Sequence, residues 1–197
     1  PCAPAVLLFS SCDSLQNNLK WNLPNESCAK DVVGFKVFYK PLIDAPFELL
    51  DSLSLSTLEY VHLPGFQVAG CYKVVAVDSS GNESSAISIC TDNCPRYTLP
   101  NVFSPNGDGF NDAFRPFPYA FIESVQFTVF NRWGMQVFET SKPDLLWNGK
   151  IDNSGALVPD GVYFYICIVN ELRLNGIVPR TLKGTIQVIG SINTPTD

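Results

Sequence analysis

What most constrains this chain is the spacing of its breaks. Proline occurs 15 times and glycine 13 times in 197 residues, scattered at short intervals. No window sustains the i, i+3, i+4, i+7 apolar spacing of a helix that packs one face. Between the breaks, apolar and polar residues alternate over short runs, the period of a strand with one buried face. The expected fold class is therefore all-β.

In the first half, residues 5–10, 19–21, 32–39, 48–50, 58–62, 71–77 and 86–90 read as seven strands. Alternation within 32–39 places Phe35, Val37 and Tyr39 on one face. Turn formers cluster from Asp78 through Gly81 to Asn82. Short strands repeated at this spacing are the mark of a β-sandwich. In the second half, residues 124–130, 135–139, 162–169 and 181–189 read as strands, with the apolar 162–169 run as the central one. A tight turn is expected at 131–134 and a hairpin turn at Asn175-Gly176.

Hydrophobic residues make up 46% of the chain, enough for a sizeable core, and charged residues 16%. The net charge of -6 offers no basic face for nucleic acid or for an anionic membrane surface. No apolar run approaches the roughly 18 residues of a membrane-spanning helix. The chain starts with neither Met nor a basic and apolar leader, so it is expected to be part of a longer protein, with any N-terminal secretion signal upstream.

Catalytic machinery is hard to assemble from these residues. His62 is the only histidine, which removes most Ser-His-Asp and Cys-His schemes unless it is itself the base. A surface or hydrogen-bonded structural role is expected for it. No glycine-rich phosphate loop opens a helix, and the acidic residues show no glycosidase-like pairing. The expectation is a protein that is not an enzyme.

Six of the seven cysteines fall between Cys2 and Cys94, and Cys167 stands alone. Clustering in one half reads as disulfides formed in an oxidising compartment. Reduced buried thiols and a zinc site are the alternatives. Zinc is poorly served, because no CxxC occurs and the one close pair is Cys90 with Cys94.

The order of features in the first half resembles a fibronectin type III module. Trp21 lies in the second strand and Tyr39 in the third. The run from Cys71 and Tyr72 through Val74, Ala76 and Asp78 to Gly81 and Asn82 is similar to that module's penultimate strand and turn. In such a sandwich the chain start and the loop between the second and third strands share one end. The first loop and the chain end share the other. That topology pairs Cys2 with Cys28 and Cys12 with Cys94, while Cys71 and Cys90 pair across the last hairpin. Cys167, inside an apolar strand, is expected to be a free buried thiol. Cys94 to Tyr97 forms a short junction.

The second half carries an ordered set of motifs. Leu99, Pro100 and Asn101 lead into Ser104-Pro105-Asn106-Gly107-Asp108-Gly109-Phe110-Asn111-Asp112 and on to Phe114. Asn131-Arg132-Trp133-Gly134 follows, then Trp147-Asn148-Gly149, Pro159-Asp160-Gly161-Val162-Tyr163 and Lys183-Gly184-Thr185. Together they resemble the gliding-motility-associated C-terminal domain, the type B sorting domain of the type IX secretion system. The resemblance implies a cargo label on a surface or secreted bacterial protein, often an adhesin, exported through periplasm and outer membrane. Three segments result: a fibronectin type III-like domain at 1–95, the sorting domain at 96–190 and a polar tail at 191–197. The tail is a departure, since members of this family end soon after the Lys-Gly-Thr strand.

Asn106, Asp108, Asn111 and Asp112 gather short oxygen-bearing side chains on a loop that Gly107 and Gly109 let fold. Two readings fit. One is a calcium site, since Ca²⁺ takes oxygen ligands of these kinds, although the spacing departs from the EF-hand and lacks its terminal Glu. The other is a set of Asx turns. Apart from calcium, no cofactor is implied. Pro159-Asp160-Gly161 reads as a turn rather than a catalytic carboxylate. Trp133 and Trp147 read as packing residues at a sandwich end, with an exposed aromatic platform as the alternative. Asp13-Ser14-Leu15 and Asp51-Ser52-Leu53 resemble O-glycosylation sites of bacteria in this group, at Ser14 and Ser52. The Asn25 and Asn82 sequons are read as chance in a bacterial protein.

The function expected is a monomeric sorting and anchoring signal with a spacer domain, whose partner is the outer-membrane secretion machinery. Two rivals stand beside it. One is an adhesive module that binds surface carbohydrate or protein, and the other is a pair of accessory domains of a larger extracellular hydrolase.

Overall fold

A computed structural model describes residues 1–23, 28 and 30–190. The Asn25 sequon and the 191–197 tail lie outside the described residues. The chain divides into two compact units. The first is Pro1–Cys94 with Arg173–Gly176, and the second is Pro95–Leu172 with Ile177–Asp197.

The first unit is a sandwich of two antiparallel sheets. One contains β1 (Val6–Ser11), β2 (Gln16–Trp21) and β5 (Glu59–His62), in the order β1-β2-β5. The other contains β3 (Val32–Lys40), β4 (Glu48–Ser54), β6 (Gly70–Asp78) and β7 (Ile89–Thr91), in the order β4-β3-β6-β7. Period-two alternation on β3 sends Phe35 and Val37 inward, opposite Ala76 and Val74 of β6. They meet Leu19 and Trp21 from β2 in a core centred on Tyr72. Trp21 and Phe35 pack edge to face with centroids 5.6 Å apart.

His62 has a structural role in that core. Asn17, fully buried, donates through Nδ2 to the Val68 carbonyl at 2.8 Å and to the Tyr72 hydroxyl at 2.7 Å. His62 Nδ1 lies 2.7 Å from the same hydroxyl. Since Tyr72 accepts from Asn17, its own proton is directed at His62 Nδ1, which the neutral imidazole tautomer can accept. Burial lowers the His62 pKa, in line with that neutral form.

Disulfides close the unit, joining Cys2 to Cys28, Cys12 to Cys94 and Cys71 to Cys90. The last bridges β6 and β7 between directly paired residues. Strand β7 is shorter than the expected 86–90 run and is shifted toward Thr91.

The second unit is built on one five-stranded sheet, ordered β12-β11-β13-β14-β9. Its members are β9 (Val102–Phe103), β11 (Ile122–Phe130), β12 (Gln136–Thr140), β13 (Gly161–Arg173) and β14 (Gly176–Val188). A two-stranded sheet pairs β8 (Arg96–Tyr97) with β10 (Tyr119–Ala120). The two-residue strands β8, β9 and β10 were not expected from sequence. They are too short to show a period, and their pairing comes from distant partners. The parallel pairing of β9 with β14 is the clearest case.

Facing the long sheet is an aromatic cluster about Trp147, which is fully buried. Phe103 lies 5.1 Å from it, Phe138 stacks on it at 5.8 Å, and Tyr163 meets it edge-on at 5.8 Å. Its indole N–H donates to the Lys150 carbonyl at 2.9 Å, so the polar end of the ring is satisfied. Phe127 fills this core and Tyr165 packs against its margin. Gly184 explains how Tyr165 fits, because a Cβ there would sit 2.7 Å from the Tyr165 hydroxyl oxygen. Cys167 is free and fully buried on β13, and burial pushes its thiol up to about 12.

Candidate recognition surface

Three loops carry the side chains that the sequence singles out in the second unit. The first runs over residues 104–114. Its acidic and amide groups are turned onto its own backbone. Asp112 accepts from the Gly107 N–H at 2.6 Å through Oδ1 and from the Gly109 N–H at 2.7 Å through Oδ2. Asp108 accepts from the Phe110 N–H at 2.8 Å and from the Asn106 amide at 2.9 Å. Asn106 Oδ1 accepts from the Asp108 N–H at 3.1 Å. These bonds hold the Asp108 carboxyl below its ordinary pKa, with the Asn106 amide the largest cause. Asn111 takes a left-handed backbone at φ 53°. Each of the five oxygens of Asn106, Asp108 and Asp112 thus already faces an N–H. A cation would have to share or displace those donors, so the donor set fits Asx turns better than a preformed oxygen cage. Phe110 projects from the loop, 76% exposed.

At its base the loop is anchored to the core. Phe114 and Trp147 exchange backbone hydrogen bonds at 2.8 and 3.2 Å, and Phe114 stacks on Phe127 at 5.8 Å. The 104–114 and 147–149 motifs are therefore one structural unit.

The second loop is the turn between β11 and β12. Asn131 organises it. Its Oδ1 accepts from the N–H groups of Trp133 and Met135, both at 3.0 Å, and its carbonyl accepts from Gly134 at 3.0 Å. Gly134 has φ 81°, where a side chain would be strained. The turn holds Trp133 outward at 76% exposure. This corrects the expectation that both tryptophans are packing residues, since Trp147 is and Trp133 is not. The Arg132 guanidinium lies 4.1 Å from the Trp133 ring centroid.

The third loop leads into β13. Asp160 accepts from the Gly190 N–H at 3.0 Å, and Tyr163 donates to the Pro159 carbonyl at 2.7 Å. Burial raises the Tyr163 phenol, Asp160 adds to the rise and Arg132 opposes it. Asp160 thus works as a turn residue.

The second and third loops meet. Antiparallel pairing puts Phe130 opposite Phe164, so the end of β11 lies beside the start of β13. Between them is a cavity of about 210 Å³ lined by Trp133, Met135, Ile151, Val162 and the Arg132 and Asp160 side chains. Neither loop's sequence announces this groove; only the strand pairing creates it.

The remaining sequence-stated positions lie elsewhere. Ser14 is exposed in the β1–β2 turn and Ser52 is exposed on β4. Among the described residues, no group of three or more His, Cys, Asp or Glu side chains gathers into a metal site. No helix among them is long and apolar enough to cross a membrane.

Fold and loops together define a class: an all-β chain of tandem sandwich modules whose motifs sit mostly in the loops of the second, with Lys183-Gly184-Thr185 on β14. Residues 97–188 match the model of the CHU_C type IX secretion signal domain. The match supports a secretion-signal role of a non-catalytic kind for this part of the chain. Its carrier is exported to the cell surface or the extracellular space. No curated protein matches the sequence. Among solved structures, a two-domain fibronectin type III segment of chicken tenascin is 13% identical. That match covers 94% of this chain and 99% of the other at a TM-score of 0.48. Pectate lyase PelI from Erwinia chrysanthemi, solved with tetragalacturonic acid, is 14% identical over 53% of this chain and 32% of the lyase, at a TM-score of 0.38. The chain spans about a third of the length of the pectate lyases it matches.

Proposed function

We propose that residues 97–190 are read in their folded form by outer-membrane export machinery, and that the first unit is a spacer between this signal and the protein it labels. The observation that carries this reading is a coincidence of boundaries. The family match at 97–188 falls on a unit with its own aromatic core, from Tyr97 to Val188. A signal that is already folded presents its loops at small entropic cost on docking. The exported chain is then anchored at, or released from, the cell surface.

The test fuses a periplasmic reporter to residues 97–197, to residues 1–95 and to the whole chain, in a host with a type IX system. Export is expected from the whole chain and from 97–197, with 1–95 retained in the periplasm. Retention of all three would sink the sorting role. Export of the whole chain alone would make the first unit part of the signal rather than a spacer.

A further inference from the structure

We propose that the Trp133 groove is the contact point of the sorting signal, and that it seats one apolar side chain of the export machinery flanked by a carboxylate. This rests on the sorting role proposed above and names the surface and the chemistry of its partner.

Four observations converge. First, Trp133 is held out by a turn that Asn131 braces with three hydrogen bonds. A large ring kept exposed at a fixed angle costs little further ordering when it is covered. Second, the apolar surface does not stop at the groove. On β13 the inward residues Tyr163 and Cys167 alternate with Val162, Phe164 and Ile166, which are 49%, 48% and 42% exposed. A central strand with three half-exposed apolar side chains, of which Val162 lines the groove together with Trp133 and Met135, is surface of the kind that marks an interaction site.

Third, the groove is small. About 210 Å³ falls below the roughly 300–1,000 Å³ typical of small-molecule pockets, and suits a single side chain. Fourth, its rim is cationic on one side. Among the described residues Arg132 forms no ion pair, and its guanidinium lies 4.1 Å from the Trp133 ring centroid in a cation–π contact, with Asp160 also lining the groove. The guanidinium therefore stands at the rim with donors available to a carboxylate. Trp and Arg side by side at a pocket are also the residue types that dominate binding hot spots between proteins.

The test uses the whole chain fused to a periplasmic reporter, as wild type and as Trp133→Ala, Arg132→Glu and Arg132→Lys. Trp133 is exposed, so the alanine variant should keep the wild-type melting temperature; the Arg132 variants give a second, independent handle. Export is expected to fall at least about tenfold in Trp133→Ala and in Arg132→Glu, and less in Arg132→Lys. In a second arm, a photo-crosslinking residue replaces Trp133 or, as a control, Phe110 in the 104–114 loop. An adduct with an outer-membrane protein from position 133 but not from 110 is expected. Wild-type export from both Trp133→Ala and Arg132→Glu overturns the groove assignment while leaving the sorting role intact. Adducts with glycan alone at 133 overturn the choice of a protein partner. Retention of the unmutated fusion overturns the sorting role, and the groove assignment with it.

Discussion

The two units solve one stability problem by different means. In the first, the buried cluster holds eight residues, among them the aromatics Trp21, Phe35 and Tyr72. In the second it holds sixteen, seven of them aromatic, about Trp147. The unit with the smaller core carries all three disulfides; the one with the larger core has no disulfide among its described residues and a single buried thiol. Small modules that cannot bury enough apolar surface are commonly stapled in oxidising compartments. The second unit does not need the staples, which leaves its loops free to carry motifs. Its exposed motif residues Trp133 and Phe110 sit in turns, while Trp21 and Tyr72 of the first sit in the core.

Reduction should separate the units most strongly. Each disulfide removed from such a domain costs about 2–5 kcal/mol, and a domain has only about 5–15 kcal/mol in total. The Cys12–Cys94 bond, with a sequence separation of 82, closes the longest loop and should contribute most. With reductant, calorimetry should show the first unit's transition lost or moved well below its oxidised position, with the second unit's transition unmoved. Thiol titration of the oxidised native protein should find Cys167 unreactive until denaturant is added. A second-unit transition that falls along with the first would contradict this division of labour.

The complementary change is Trp147→Ala. Removing a fully buried Trp ring costs about 3–5 kcal/mol, and here it also orphans the Lys150 carbonyl and loosens the base of the 104–114 loop. The second unit's melting temperature should drop by more than 10 °C, at about 4–8 °C per kcal/mol for a domain of this size, while the first unit's transition stays in place. A loss below about 1 kcal/mol would mean that the cluster repacks and that Trp147 is not its centre.

The cores were legible in the sequence because period two is a strong signal. Phe35 and Val37 could be placed on one face from alternation alone. What was not legible depended on which strands become neighbours. Trp133 and Trp147 are the same residue type, each followed by a glycine-containing turn. Trp147 is pulled inside by its backbone pairing with Phe114, far away in sequence, and Trp133 is held out by Asn131. The signal for the latter lay in Asn131 itself, an Asx residue two positions before the ring. The groove could have been anticipated only by pairing the end of β11 with the start of β13. The 104–114 loop was legible as a turn-rich segment, but its oxygen-rich composition suited a cation and Asx turns equally well, because both recruit the same side chains.

The smallest expected effect concerns that loop. If its oxygens are committed to backbone N–H groups, added Ca²⁺ has little to gain. A site with a dissociation constant well above the millimolar range adds, at about 1 mM Ca²⁺, well under 0.1 kcal/mol, and the second unit's melting temperature should move by less than about 1 °C. Chelator should be equally without effect. Asp112→Ala removes the acceptor for both Gly107 and Gly109 and should lower the melting temperature by a few degrees, to the same extent with Ca²⁺ or with chelator. A calcium site would behave differently: Ca²⁺ would raise the wild-type midpoint by several degrees, and Asp108→Ala with Asp112→Ala would abolish the rise. The double comparison separates the two, because the cost of losing an Asx turn is intrinsic to the chain, whereas the cost of losing a ligand appears only when the ion is there to bind.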